Sequence, residues 1–281
     1  RGGGRAEARA FHERALVAAR DDASLHAFVL ASLVAVGLRE GSLGEAIDIG
    51  QRAIEVAQEA GDRNMEALAA GNLGAVQATR GDLDAAASSY QHALALHRRA
   101  GNAAGVCSVL VNLGDLALGR RRLGEASRHL TEALELARQL GERRQEGVAT
   151  LNLGLVELEE RPQRALGRFE EAAAVFEEAG LSRLSAIAES YRGRALLRSG
   201  ELEQAERVLE AVTQRFDEVG DEMQAALARG HLATVFLERG ATAQAAQAWT
   251  AVQRAARALS VGEDSELGKL VAGLEGRLGG G

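Results

Sequence analysis

Residues 72–101 read NLGAVQATRGDLDAAASSYQHALALHRRAG, a stretch that predicts two helices joined by a tight turn. The opening tripeptide Asn-Leu-Gly returns at residues 112–114 and 152–154, forty and eighty residues further along the chain. Turn glycines keep the same spacing from Gly41 to Gly81. Self-similarity at a fixed period of about 20–50 residues indicates a solenoid, in which repeated units stack on their neighbours.

Each half of the repeat has the periodicity of a helix rather than a strand. In the second repeat we predict a first helix from Arg63 to Arg80 and a turn at Gly81. Asp82 is predicted to cap the second helix, because its carboxylate can accept bonds from the free N–H groups of the first turn. Gly101 is predicted to end that helix as its left-handed residue.

The spacing predicts six helix pairs, with one helix before them and one after. The outer helices are similar to the atypical units that end a repeat array. Pro162 replaces the turn glycine in the fourth repeat and fits the first turn of a helix, where no N–H is needed. We therefore predict a single all-α domain over residues 1–281, a right-handed α-solenoid. The predicted repeats are residues 22–60, 62–100, 102–140, 142–179, 181–219 and 221–260, and the capping helices are residues 5–20 and 263–278.

The composition and net charge of the chain exclude some classes of partner. Of the 281 residues, 46% are apolar, and the formal net charge is −7. An acidic chain is unsuited to following nucleic acid phosphates, which needs a basic face. Cys107 is the single cysteine, so an internal disulfide is excluded and a reducing, cytoplasmic location is expected. No signal peptide or apolar run of membrane-spanning length is evident, so no membrane is expected. The chain begins at Arg1 rather than Met, which suggests a segment of a longer protein.

The repeats resemble the tetratricopeptide repeat (TPR) family. The shared frame is a glycine in the first helix and two alanines in the second, and the period of forty exceeds the family's usual thirty-four. The forty-residue repeat is similar to the longer-helix variant found in kinesin light chain and in sensor domains of bacterial transcription activators. That resemblance implies binding of peptides or partner segments in a concave groove. The matching residues are Gly74, Ala86 and Ala93, then Gly114, Ala126 and Ala133, then Gly154, Ala165 and Ala172.

Three of the chain's five asparagines, Asn72, Asn112 and Asn152, share one repeat position. Asn is unfavourable inside a helix because its amide competes for backbone hydrogen bonds. The resemblance implies that this position faces the groove, where the amide would hold the backbone of an extended peptide. Two interpretations stay open: contact with a ligand, or a hydrogen bond to a neighbouring helix or water as part of the repeat frame. Asp115, one turn beyond Asn112, is expected to bind a basic residue of the ligand.

Residues at neighbouring helical positions are expected to line the same face, although several could instead be buried between helices. The middle of the predicted groove is apolar with two acids, and its C-terminal part is basic. Tyr191 and His231 take the asparagine position in the last two repeats. The predicted partner-binding residues are Asn72, Asn112, Asn152, Asp115, Leu68, Ser108, Val111, Leu118, Val148, Leu151, Leu155, Glu159, Tyr191, Arg194, Arg198 and His231.

No catalytic residues, metal ligands or cofactors are predicted. Residues 262–270 fail as a phosphate loop because five residues, not four, separate the glycines and Leu follows Lys269. The leading hypothesis is a non-enzymatic module that binds a peptide or partner segment, including one from its own parent chain. The alternative is a ligand-responsive sensor domain of a larger bacterial transcriptional regulator or signalling ATPase. The sequence does not indicate an oligomeric state.

Overall fold

The structure, a computed structural model, describes residues 14–19, 21–263 and 265–278. Residues 14–18 are helical, thirteen helices follow them, and these ranges contain no strand. The predicted all-α, helical-repeat class is confirmed, while most of the predicted first capping helix lies outside the described residues. The helices are α1 (Ala23–Glu40), α2 (Leu43–Glu59), α3 (Arg63–Arg80), α4 (Leu83–Ala100), α5 (Ala103–Gly119), α6 (Leu123–Leu140), α7 (Arg143–Leu158), α8 (Pro162–Glu178), α9 (Ser182–Arg198), α10 (Leu202–Glu218), α11 (Glu222–Glu238), α12 (Thr242–Ala258) and α13 (Glu266–Leu278).

The chain divides into two compact units, residues 1–145 and residues 146–281. In the first unit, α1 packs on α2, α3 on α4 and α5 on α6, and the first helices α1 and α3 also touch. In the second unit, α9 packs on α8 and α10, and α11 packs on α10, α12 and α13. Five of the six predicted repeats contain one such helix pair, and in the fourth repeat Gly154 of α7 lies against the Phe169 side chain of α8. Helix α13 lies within the range predicted for the second capping helix.

The glycine of each Asn-Leu-Gly tripeptide lies where the two helices of its repeat cross, as the absence of a side chain predicts. A buried side chain from the second helix fills the space above each glycine. A Cβ atom added to the glycine would therefore overlap that side chain. The pairs and the resulting distances are Gly74 to Tyr90 Cδ1 (2.7 Å), Gly114 to Leu130 Cγ (2.5 Å) and Gly154 to Phe169 Cε1 (2.6 Å). Gly193 has the same repeat position without the tripeptide, and a Cβ atom there would lie 2.7 Å from Leu209 Cδ2.

Helix starts differ between the two helices of a repeat. Asp62 caps α3, since its Oδ1 accepts bonds of 3.1 Å from the backbone N–H groups of Asn64 and Met65. The bond from Met65 is the main cause that holds the pKa of Asp62 below its usual value. The predicted cap by Asp82 is wrong: the residue occupies the N-cap position of α4, but its carboxylate makes no capping bond. The carboxylate pairs with the Arg80 guanidinium instead, a charged donor that binds it more strongly than a neutral N–H.

Left-handed residues make the turns between helices. Gly81 and Gly101 have φ angles of 94° and 66°, and the N–H of each bonds back into the preceding helix. Arg121 and Ser260 occupy equivalent turn positions at φ 57° and 52°, where a side chain is strained. Pro162 is the first residue of α8, as predicted.

Helix α1 is the one helix of the described ranges whose length and composition would allow it to cross a membrane, with a mean hydropathy of 1.4 over 18 residues. It begins at Asp22, whose side chain accepts a bond from the N–H of Leu25. Its buried residues, which include Leu30, Ala31 and Val34, belong to clusters shared with neighbouring helices. These features are those of a first helix in a repeat.

Candidate partner-binding face

The residues that share the asparagine position of the repeat are residues 72 and 112 in the first unit and residues 152, 191 and 231 in the second. We call these the ladder positions. Each lies near the middle of the first helix of its repeat, in α3, α5, α7, α9 and α11 respectively. The ladder face of a unit is the side of its first helices on which these side chains lie.

The two asparagines of the first unit have different surroundings. The Nδ2 atom of Asn72 donates a hydrogen bond of 2.9 Å to the carbonyl oxygen of Ala31 on α1. Asn72 therefore joins two successive repeats, as the framework interpretation requires. Asn112 is half-buried, and its amide makes no hydrogen bond to any described residue. An amide of this kind has both donors and an acceptor available for a ligand.

Asp115 lies one helical turn beyond Asn112 on α5, and its side chain is exposed. Protein atoms around it remove part of its hydration, which raises the pKa of its carboxyl group. The pKa of Tyr90 is raised above its usual value chiefly by burial and then by the negative charge of Asp115. Asp115 is thus an accessible, incompletely hydrated carboxylate that a cation of a ligand would stabilise.

The other predicted residues of the first unit lie at the edge of the repeat packing. Leu68, Ser108 and Leu118 are half-buried, and Leu68 packs against a cluster that contains Leu30 and Ala31. Val111 is only 6% exposed, so its side chain belongs to the core and offers little surface to a ligand.

In the second unit, the predicted site residues of α7 are mostly inside the fold. Leu151 and Asn152 are 9% and 6% exposed, so only a small part of the Asn152 amide can be reached. Val148 and Leu155 are half-buried and pack on the apolar cluster of α7, α8 and α9. Glu159 is exposed at the end of α7.

Tyr191, Arg194, Arg198 and His231 come together on the ladder face of the second unit. The Tyr191 ring stacks on Phe169, with 5.7 Å between ring centroids, and the Arg194 guanidinium lies 4.9 Å from the Tyr191 centroid. Arg194, Arg198 and His231 line one pocket of about 460 Å³. Burial, and then the charges of Arg194 and Arg198, lower the pKa of His231 to about 3, so its imidazole is neutral.

Sequence reasoning missed three partners of this arrangement. Glu266, at the start of α13, forms an ion pair of 2.7 Å with Arg194, although 72 residues separate them. Leu270 and Thr234 line the pocket beside His231. The forty-residue spacing could have identified Thr234, which is the equivalent of Arg194. The first repeat also has a ladder residue that was missed, Ser32, whose hydroxyl donates to the Phe28 carbonyl of its own helix at 2.9 Å.

The single cysteine of the chain lies inside the fold. Cys107 is fully buried, its Sγ lies 3.4 Å from the Ala133 carbonyl oxygen, and burial raises its pKa to about 11. Such a thiol is protonated at neutral pH and packs as a small apolar residue. No group of three or more His, Cys, Asp or Glu among the described residues is arranged to hold a metal ion.

A family model described as the MalT-like TPR region matches residues 3–271. The chain therefore belongs to this family, and the resemblance to tetratricopeptide repeats is confirmed. Repeats of this type generally form non-enzymatic interaction scaffolds.

Several solved structures share the fold at low sequence identity. BtubC from P. vanneervenii is 21% identical with a TM-score of 0.64, and the match covers 77% of this chain and 90% of that one. A STAND signal transduction ATPase with a tetratricopeptide repeat sensor, from Pyrococcus horikoshii, is 15% identical with a TM-score of 0.73, and the match covers 95% of this chain but 41% of that one. A Rap protein complexed with competence and sporulation factor is 18% identical with a TM-score of 0.66, covering 92% and 74%. No curated protein sequence matches the chain.

Proposed function

We propose that this chain is a non-enzymatic, cytoplasmic interaction module that binds a peptide or partner segment on its ladder face. The observation that carries the proposal is the amide of Asn112. This amide is half-buried, makes no hydrogen bond to the residues that the structure describes, and lies one turn from the accessible carboxylate of Asp115. Asn in the middle of a helix is unfavourable. Because the Asn112 amide makes no hydrogen bond to the neighbouring helices that the structure describes, we explain its presence at this position by a bound ligand.

The chemistry of the face sets the character of the ligand in the first unit. An extended peptide rises about 3.3 Å per residue, and neighbouring packed helices lie about 10 Å apart. One ladder side chain therefore serves about three ligand residues. Asp115 favours a basic side chain close to the residue whose backbone Asn112 holds, and half-buried Leu118 favours an apolar neighbour. The Rap protein, whose fold is similar, was solved in complex with competence and sporulation factor, which is a precedent for a bound factor on this fold.

The test compares two asparagines of the same repeat position. Peptides selected from a displayed random library are titrated calorimetrically into wild type, Asn112→Ala and Asn72→Ala. Loss of an amide from a desolvated contact costs about 1–3 kcal/mol, so Asn112→Ala should bind roughly five- to a hundredfold more weakly.

The same two variants separate binding from stability. Both changes improve helix propensity equally, but only Asn72→Ala loses a hydrogen bond to another helix. Its free energy of unfolding should therefore fall about 1 kcal/mol below that of Asn112→Ala. If Asn112→Ala binds like wild type and is the less stable of the two, the ladder is structural and the proposal is wrong.

A second candidate is the sensor domain of a larger regulator or signalling ATPase. It is favoured by the family match and by the STAND relative, in which a repeat sensor is part of a longer chain. In this case the ladder face would bind its ligand in order to control a neighbouring domain. A selected peptide that changes the ATPase or DNA-binding activity of the parent protein would support the sensor role, whereas binding without any such change would favour the simple module.

A further inference from the structure

The pocket on the ladder face of the second unit has an aliphatic side and a polar side. It lies between the C-terminal halves of α9 and α11, at the start of α10 and beside α13. Its aliphatic side is formed by Leu197, Leu202 and Leu270, and its polar side includes Arg194, Arg198 and His231. The volume of about 460 Å³ is enough for a short side chain or the end of a peptide.

The charges of the pocket do not balance. Glu238, the acid in the lining, pairs with Arg277 at 2.8 Å, and Arg194 pairs with Glu266 at 2.7 Å. Arg198 is exposed, and within the described part of the chain no acidic side chain makes an ion pair with it. One guanidinium therefore faces the pocket without a counter-charge.

The neighbours of Arg198 are already positioned to receive an anion. Arg194 is held between the Tyr191 ring and Glu266, so its guanidinium has a defined place on the pocket wall. His231 is neutral, because burial and the two nearby cations oppose its protonation and lower its pKa. A neutral imidazole offers an N–H donor to an anion without a further positive charge.

We propose that this pocket binds a carboxylate on a short aliphatic stem. Arg198 would form the ion pair, the His231 N–H would donate a second bond, and the three leucines would cover the stem. This rests on the proposed function, since the carboxylate would be the C-terminus or an acidic side chain of a peptide bound on the ladder face of the second unit. A guanidinium binds a carboxylate through two parallel hydrogen bonds, which gives both strength and a fixed orientation.

The experiment uses hexanoate as the probe, with its neutral amide as the control ligand. The imidazole signals of the whole chain are followed by carbon–proton NMR, and the His231 signal is assigned with the His231→Gln variant. Hexanoate should move the His231 signal saturably with a Kd in the millimolar range, and hexanamide should not. Arg198→Gln should weaken hexanoate binding about tenfold or more.

Arg254→Gln is the matched control, because Arg254 is also exposed, on α12, and lies outside the pocket. It should leave hexanoate binding unchanged. Equal effects of hexanoate and hexanamide, a linear response that sodium chloride reproduces, or unchanged binding in Arg198→Gln would each overturn the proposal. Since Arg198 is exposed, circular dichroism of its variant should match wild type.

A library-selected peptide distinguishes the two sources of the carboxylate. Amidation of its C-terminus, or replacement of its acidic residues by amides, should remove the difference in affinity between wild type and Arg198→Gln.

The failures of the two proposals are also distinct. If hexanoate binds but no peptide is selected from the library, the carboxylate pocket stands and the peptide-binding proposal is wrong. If a peptide binds through Asn112 but hexanoate gives no saturable response, the interaction module stands and the carboxylate site is wrong.

Discussion

Two glycines of α3, Gly71 and Gly74, lie three residues apart and differ in what faces them. A Cβ atom at Gly71 would meet nothing within 4 Å, whereas one at Gly74 would lie 2.7 Å from Tyr90 Cδ1 and 2.8 Å from Cε1. Tyr90 is only 4% exposed, so its ring has little room to withdraw. Carbon atoms in contact normally lie about 3.5 Å apart or more, so the two helices or the ring would have to move by about 0.8 Å.

The free energies of unfolding of the two alanine variants should therefore differ. Gly71→Ala should stabilise the protein by about 1 kcal/mol, because Ala is the better residue inside a helix. Gly74→Ala gains the same propensity but overpacks the crossing, a cost of about 1–3 kcal/mol. The two variants should thus differ by about 1–3 kcal/mol in urea unfolding followed by circular dichroism.

A double-mutant cycle assigns the difference to the crossing. In the Tyr90→Ala background the facing ring is gone, so Gly74→Ala should there behave like Gly71→Ala. If Gly74→Ala unfolds at the same urea concentration as Gly71→Ala in the otherwise native chain, the close approach of α3 and α4 does not limit stability and the reasoning is wrong.

Three further predictions follow from the caps, the turns and Asp115. Asp62→Ala should lower the free energy of unfolding by about 1 kcal/mol, whereas Asp82→Ala should lower it by less than about 0.5 kcal/mol, because only a surface ion pair is lost. The pKa of Asp62 is lowered in the folded state. Its contribution to stability is therefore present above the unfolded pKa of about 3.9 and is lost as the pH falls through the folded pKa. Ser260→Gly should raise the melting temperature, because it relieves about 0.5–1 kcal/mol of backbone strain at a positive φ angle. Gly220→Ser introduces the same strain at an equivalent turn and should lower the melting temperature. Melting temperatures of both variants equal to that of wild type would contradict this. The raised pKa of Asp115 means that a peptide with a basic residue should bind more weakly as the pH falls through that value, a dependence that Asp115→Asn should abolish in calorimetric titrations.

The repeat spacing was enough to predict the helices, because a glycine or proline occurs at most of the turns and helical periodicity continues on both sides of them. The predicted helix from Arg63 to Arg80 has those bounds in the structure. The position of Asp82 at the start of α4 was predictable too, but not its bond. An aspartate at that position can bind either backbone N–H groups or a nearby cation, and the choice depends on where the Arg80 side chain reaches.

The candidate site was less predictable than the fold. Asn72 and Asn112 share a repeat position, yet only Asn72 reaches a carbonyl of a neighbouring helix, because the fit of each helix pair depends on its own side chains. The ion pair of Arg194 with Glu266 joins residues too far apart in the chain for a repeat pattern to relate them. Burial of Val111 and Leu151 depends on the rotation of each first helix about its axis, which spacing alone places only approximately.

The crossings described above have a consequence for how such a chain can lengthen or shorten. Gly114 and the Leu130 side chain that covers it belong to the same repeat, as do Gly154 and Phe169. A genetic duplication or deletion that begins and ends at turn glycines such as Gly101 and Gly141 therefore carries each fitted pair intact. Such an event adds or removes one ladder residue without leaving the glycine at the crossing of any repeat facing a foreign side chain. The extent of the binding surface can change in steps of one repeat while the packing inside every repeat is inherited whole.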